Sequence, residues 1–266
     1  MIVDFHTHCF PDQLAERVIP QLAECANSQA FLNGTISDLL KSMSESGVDY
    51  SVMLQIATKP SQNHTVNTWA IERDEPGIIA FGSVHVLGEN WEEELERLAA
   101  EGIKGIKLHP EYQGVYVDDD VMLPLYEKIS ELGLYLAFHA GADIGIPPPV
   151  HSSPEHFHNV IDALPRDHTI LAHMGGWKRW DEVEKFLVGS HLLFDSSFSY
   201  NFMPHEQMRR IIVDHGADKI LMGSDSPWDS QEEAIKAIRS LELSEEEEEA
   251  VLGGNACRIL NLKERK

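Results

Sequence analysis

Short runs rich in β-branched and aromatic residues alternate along the chain with longer segments whose apolar positions recur at helical spacing. The runs are "IVDFHTH", "YSVMLQI", "IIAFGSV", "IKGIKLH", "LYLAFHA", "TILAHMG", "LLFDSSF" and "KILMGSD". Between them lie "TISDLLKSMSESG", "NWEEELERLAAEG", "VMLPLYEKISELG" and "WDEVEKFLVGS", each closed by a glycine at or near its end. In "SSPEHFHNVIDALP", Ser153 is placed to cap a helix that has Pro154 at its first position and Glu155 in its first turn. Strict strand–helix alternation implies a parallel sheet. Eight such units in 266 residues predict one α/β domain over residues 1–266, a closed (β/α)8 TIM barrel. An open doubly wound sheet is the competing architecture, but no GxGxxG follows the first strand to support a dinucleotide site.

Polar residues gather where such a barrel does its chemistry, at the C-terminal ends of the strands. His6 and His8 end the first run, Lys107 and His109 the fourth, His139 the fifth, His173 the sixth and Asp225 the eighth. Strand side chains alternate, so His6 and His8 point one way and Thr7 the other. Closure of the barrel brings the eighth strand beside the first, which lets Asp225 approach the histidine pair. Any one of these residues alone reads as packing or as a turn cap. Together at one rim they read as a divalent metal site, because buried polar groups without partners are costly and imidazole with carboxylate suits zinc and similar ions.

Composition narrows the remaining options. A formal net charge of -23, from 44 acidic and 21 basic side chains, repels phosphate backbones and anionic membranes, so neither nucleic acid nor membrane is an expected partner. Part of that charge is the run "SEEEEEA", read as the solvated face of a helix. Three scattered cysteines make neither a disulfide framework nor a zinc ribbon, which points to a reducing, cytoplasmic setting. Cys9 reads as a small packed residue. The start "MIVDFHTH" lacks a basic segment before an apolar core, and no stretch approaches the ~18 apolar residues of a membrane helix.

"DFHTH", "GIKLHPEYQG", "LAFHAG", "ILAHMGG", "GSDSPW" and "LGGNACRIL", in that order and across nearly the whole chain, resemble the amidohydrolase superfamily. The resemblance is to the amidohydrolase-related family that contains aminocarboxymuconate semialdehyde decarboxylase. It implies one divalent ion, zinc by expectation, held by His6, His8, His139 and Asp225, with His173 beside the metal-bound water as an acid or base. Asp225 would also shuttle a proton. Some relatives carboxylate a lysine on the fourth strand to bridge two metals, so a binuclear site with a Lys107 carbamate is the lesser alternative. Lys107 and His109 otherwise face the substrate.

A small-molecule substrate is the expected partner. Tyr112, Gln113, Trp177 and Trp228 follow the ligand-bearing strands and are candidates to line its pocket, and the loop "GADIGIPPPVHSSP" reads as a wall or lid. Lys107, Lys178 and Arg179 could answer an anionic group. Three functions follow. The first is hydrolysis of an amide, ester or lactone of a small organic acid by metal-activated water. The second is non-oxidative decarboxylation of an aromatic or unsaturated acid, and the third a barrel that binds metal or ligand without turnover. Homo-oligomers are common among such enzymes, but nothing in the sequence locates an interface.

Overall fold

In the computed structural model, which describes residues 1–262, every one of the apolar runs contains a parallel strand. They are β1 (Val3–Thr7), β2 (Tyr50–Leu54), β3 (Ile78–Phe81), β4 (Gly105–Leu108), β5 (Tyr135–Phe138), β6 (Thr169–Leu171), β7 (Leu193–Asp195) and β8 (Ile220–Leu221). Continuous ladders join β1 to β3 and β4 to β8. Parallel bridges between Gly82 and Ile106 and between Thr7 and Ser226 join the two arcs. Backbone bonds from Phe5 N to Met222 O (2.8 Å) and from Gly82 N to Gly105 O (3.0 Å) reinforce the seams. The sheet is therefore a closed (β/α)8 barrel. Residues 263–266, the end of the expected 1–266 domain, lie outside the described residues.

The helices are α1 (Asp12–Cys25), α2 (Ile36–Ser46), α3 (Asn63–Ile71), α4 (Trp91–Ala100), α5 (Pro110–Gln113), α6 (Leu123–Glu131) and α7 (Pro154–Val160). They continue with α8 (Trp180–Phe186), α9 (His205–His215), α10 (Gln231–Arg239), α11 (Glu245–Glu249) and α12 (Asn255–Leu260). Ser153 caps α7 as the sequence predicts, its hydroxyl accepting from His156 N at 3.3 Å. The acidic run forms α11, started by a capping box between Ser244 and Glu247. No helix among the described residues is long and apolar enough to cross a membrane.

Two apolar layers hold the barrel. Leu39, Leu95, Leu98, Ile106, Leu125 and Ile129 belong to the layer between strands and helices. Val3, Phe5, Val52, Leu54, Phe81, Ala137, Ile170, Leu193 and Leu221 fill the interior and make a floor. Each such large side chain contributes ~1.5–3 kcal/mol by leaving water. β4 supplies no side chain to this floor at Gly105, because a Cβ there would lie 2.4 Å from the Phe81 ring.

β1 departs from strict alternation. Its register runs Asp4 with Ser51 and then Thr7 with Met53, so one extra residue is inserted on β1. This bulge turns both Phe5 and His6 inward, Phe5 into the floor and His6 into the layer above it. Asp4 turns outward, where its carboxylate accepts from Ser224 N (2.9 Å), Ser224 Oγ (2.6 Å) and Gln231 Nε2 (2.8 Å) and so fastens β1 to the segment after β8 and to α10. Burial still pushes this carboxyl up to about 6, against the pull of those bonds.

Candidate metal and substrate site

Above the floor, the two histidines of "DFHTH" face each other. His6 Nδ1–H donates to Asp195 Oδ2 at 2.8 Å, and His8 Nδ1–H donates to Leu54 O at 2.9 Å. With a proton on each Nδ1, both Nε2 atoms carry bare lone pairs, and these lie 3.1 Å apart. Asp225 Oδ1 is 3.2 Å from each of them. Three electron-pair donors at such separations repel one another unless a cation lies between them. Ligands ~2.0–2.1 Å from a tetrahedral ion would stand ~3.3–3.4 Å apart, so the donor set fits a divalent metal in both chemistry and spacing. Burial, and secondly Lys107, push His6 down to about 4, which keeps its ring neutral.

Asp225 reaches this position from a left-handed backbone (φ 72°), four residues beyond the last regular residue of β8. Its N–H donates to His6 O at 2.8 Å, so the turn is tied to β1. Burial would raise its carboxyl, but His6, His8 and His173 outweigh burial and hold it below the ordinary carboxylate range.

His139 and His173 form a second pair. His173 Nδ1–H donates to Ser197 O (3.0 Å) and His139 Nε2–H to Ala142 O (3.2 Å), which leaves His173 Nε2 and His139 Nδ1 as facing lone pairs 3.1 Å apart. His173 is also left-handed (φ 59°), and its ring centroid is 5.2 Å from that of His6. The ligand atoms within 4.8 Å of one another are those of His6, His8 and Asp225; His139 instead groups with His109 and Asp143.

Lys107 is fully buried, with Nζ 3.4 Å from His6 Nε2. Among the described residues it makes no ion pair within 4.0 Å, and burial pushes it down to about 8. His109 stacks on His139 (4.2 Å, 12°) and takes the edge of Tyr112 on its other side (4.3 Å). Its Nε2 is 3.4 Å from Asp143 Oδ2, while its buried Nδ1 has no partner. Asp143 comes from the proline-rich loop, which therefore supplies a wall of the site. Trp228 is half-buried, and its backbone N–H donates to Asp225 O at 2.9 Å.

Other candidates have structural duties. Gln113 accepts from His109 N (3.2 Å) and donates to Ala57 O (3.0 Å) and Val84 O (2.9 Å), clamping loops rather than presenting itself to a ligand. Lys178 lies over the Trp177 and Phe202 rings, and Arg179 pairs with Glu182. Cys9 is buried and its thiol is pushed up to about 12, so it is no nucleophile at neutral pH. Asp195 and Ser197, absent from the sequence-derived candidates, sit beneath both histidine pairs. The one advance signal for them is a carboxylate ending the apolar run "LLFD".

Solved structures of similar fold span nearly the whole chain. A 5-carboxyvanillate decarboxylase from Sphingomonas paucimobilis shares 16% identity over 98% of this chain and 99% of its own, with a TM-score of 0.73. A dihydroxybenzoic acid decarboxylase from Polaromonas, with bound manganese and the inhibitor 2-nitroresorcinol, shares 15% over 99% and 98% (TM-score 0.72). A probable 2-pyrone-4,6-dicarboxylic acid hydrolase from Acinetobacter baumannii, with citric acid bound, shares 16% over 98% and 99% (TM-score 0.68). No curated protein sequence matches. The family profile described as amidohydrolase aligns with residues 3–262, taking in every strand of the barrel and each histidine at its mouth, and the chain belongs to that amidohydrolase family.

Proposed function

We propose that the protein is a metal-dependent, non-oxidative decarboxylase of an aromatic or unsaturated carboxylic acid. The observation that carries this reading is the convergence of the His6 and His8 Nε2 atoms on Asp225 Oδ1, with the buried Lys107 amine 3.4 Å from His6 Nε2 beside them. His6, His8 and Asp225 would hold one divalent ion, whereas His139, the fourth ligand that the resemblance implies, groups with His109 and Asp143; manganese, bound in the Polaromonas neighbour, and zinc both suit the three donors. Such an ion would supply Lewis-acid polarisation of the substrate's oxygens.

The protein's own groups do the rest. Lys107 Nζ meets the substrate carboxylate beside the imidazole rings of the site. His109 Nδ1, buried and unpartnered, is open to a polar group on the ring, with Tyr112 and Trp228 flanking the entrance. The bond to the carboxylate breaks with its electron pair left on the substrate carbon. His173 Nε2 takes up a proton from water and passes it to that carbon, where it takes the place of carbon dioxide, and its Nδ1–H stays on Ser197 O throughout. The free state of Cys9, Cys25 and Cys257 agrees with a reducing compartment.

Hydrolysis is the second reading, favoured by the likeness to the Acinetobacter hydrolase. The two are separated by incubating manganese-loaded protein in deuterated water with 5-carboxyvanillate, dihydroxybenzoates and 2-pyrone-4,6-dicarboxylate. Carbon dioxide release, with one deuterium at the vacated carbon, is the expected result. Ring opening of the pyrone without carbon dioxide would overturn decarboxylation in favour of hydrolysis.

A further inference from the structure

We infer that Asp195 and Ser197, at the end of β7, are positioning residues that fix the ring tautomer and orientation of His6 and His173 together. The inference rests on the metal reading above and extends it to residues that would never touch the ion. Asp195 is buried and divides its two oxygens between the two histidines. Oδ2 accepts from His6 Nδ1–H at 2.8 Å, whereas Oδ1 accepts from His173 N at 3.2 Å and Ser197 N at 3.0 Å. The Ser197 hydroxyl gives its single proton to Asp195 Oδ1 in a short contact. Its oxygen is then free to accept from His6 Nδ1–H (2.9 Å) and His173 Nδ1–H (3.0 Å).

The carboxylate and the hydroxyl thus require an Nδ1 proton on His6, and the hydroxyl joins the Ser197 carbonyl in requiring one on His173, so that His6 Nε2 faces His8 and His173 Nε2 faces His139 as lone pairs. Without Asp195, a neutral His6 could place its proton on Nε2, in the gap it shares with His8 and Asp225, where it would exclude a cation. A carboxylate that orients a ligating imidazole in this way also raises its basicity, and losing such a partner costs ~10–100-fold in metal affinity.

The test is manganese affinity by chelator competition, read beside the side-chain nitrogen resonances of the histidines, in the wild type, Asp195→Asn and Ser197→Ala. Asp195→Asn should weaken manganese binding ~10–100-fold and turn the His6 resonances from an Nδ1–H pattern into a tautomer mixture. Ser197→Ala, which removes one hydrogen-bonding group, should weaken it ~2–10-fold. Asp195→Asn with wild-type affinity and an unchanged His6 tautomer would overturn the inference. If Asp195→Asn does not fold, Ser197→Ala decides, and wild-type affinity there is the contrary result. Wild-type protein that fails to bind manganese would instead defeat the metal reading itself.

Discussion

Two clusters at the barrel mouth contain the same ingredients, two imidazoles and a carboxylate within 4.8 Å of one another: His6, His8 and Asp225, and His109, His139 and Asp143. Ring orientation separates them. His6 and His8 meet edge to face (74°), so their in-plane lone pairs converge on a point shared with Asp225. His109 and His139 are stacked at 12°, which confines their in-plane lone pairs to two near-parallel planes that do not cross at one small ion. The cause lies one bond further out. Asp195 and Leu54 O hold the first pair from behind, whereas Ala142 O and Asp143 hold the second from the side of the loop. Donor types alone do not make a metal site; the partner of each ring's other nitrogen does.

The strongest way to break this contrast is Asp225→Ala. Its manganese affinity should fall by more than ~100-fold, beyond the loss of an outer partner, because a ligand and its charge disappear. Retention of metal by this variant would remove Asp225 from the site. The second cluster depends on a loop anchored by Glu111, which accepts from His151 N (2.9 Å), Ser152 N (3.1 Å) and Ser152 Oγ (2.9 Å). Burial pushes its carboxyl up to about 7 from 4.5, so between those values the folded chain holds a proton that the unfolded chain releases. Stability from this group therefore falls as pH rises from 4.5 to 7, by up to ~3 kcal/mol. Glu111→Gln should flatten that slope in denaturant melts across the window, and parallel curves would show that Glu111 is not its source. The smallest effect is expected of Asp143→Asn, which should keep full metal content and raise KM for the acid substrate about tenfold, the worth of one hydrogen bond. Loss of metal there would make the stacked cluster a metal site after all.

Much of this centre is legible in the sequence, for reasons that differ by residue. "DFHTH" announces a pair of inward histidines because period-two alternation needs only local geometry. His139, His173 and Asp225 are legible from their places at the ends of apolar runs, although regular pairing stops at Phe138, Leu171 and Leu221 before reaching them. The left-handed turns at His173 and Asp225 aim those side chains, and neither residue type demands such a turn. The β1 bulge is hidden because it arises from pairing with β2, and an alternation argument places Phe5 and His6 on opposite faces. Asp195 is hidden among ordinary strand-end carboxylates, since its role depends on His6, 189 positions away. Gln113 looks like a rim residue and proves to be a clamp, because a side-chain amide satisfies backbone groups as readily as a ligand. α1 is obscured by Pro20 inside it, where helix-breaking chemistry contradicts its apolar face.

The most direct test of the account is the metal content of untagged protein purified without chelator, measured by elemental analysis. The account predicts about one manganese, zinc or similar divalent ion per chain. Protein that carries no metal and takes up none when it is supplied would contradict it.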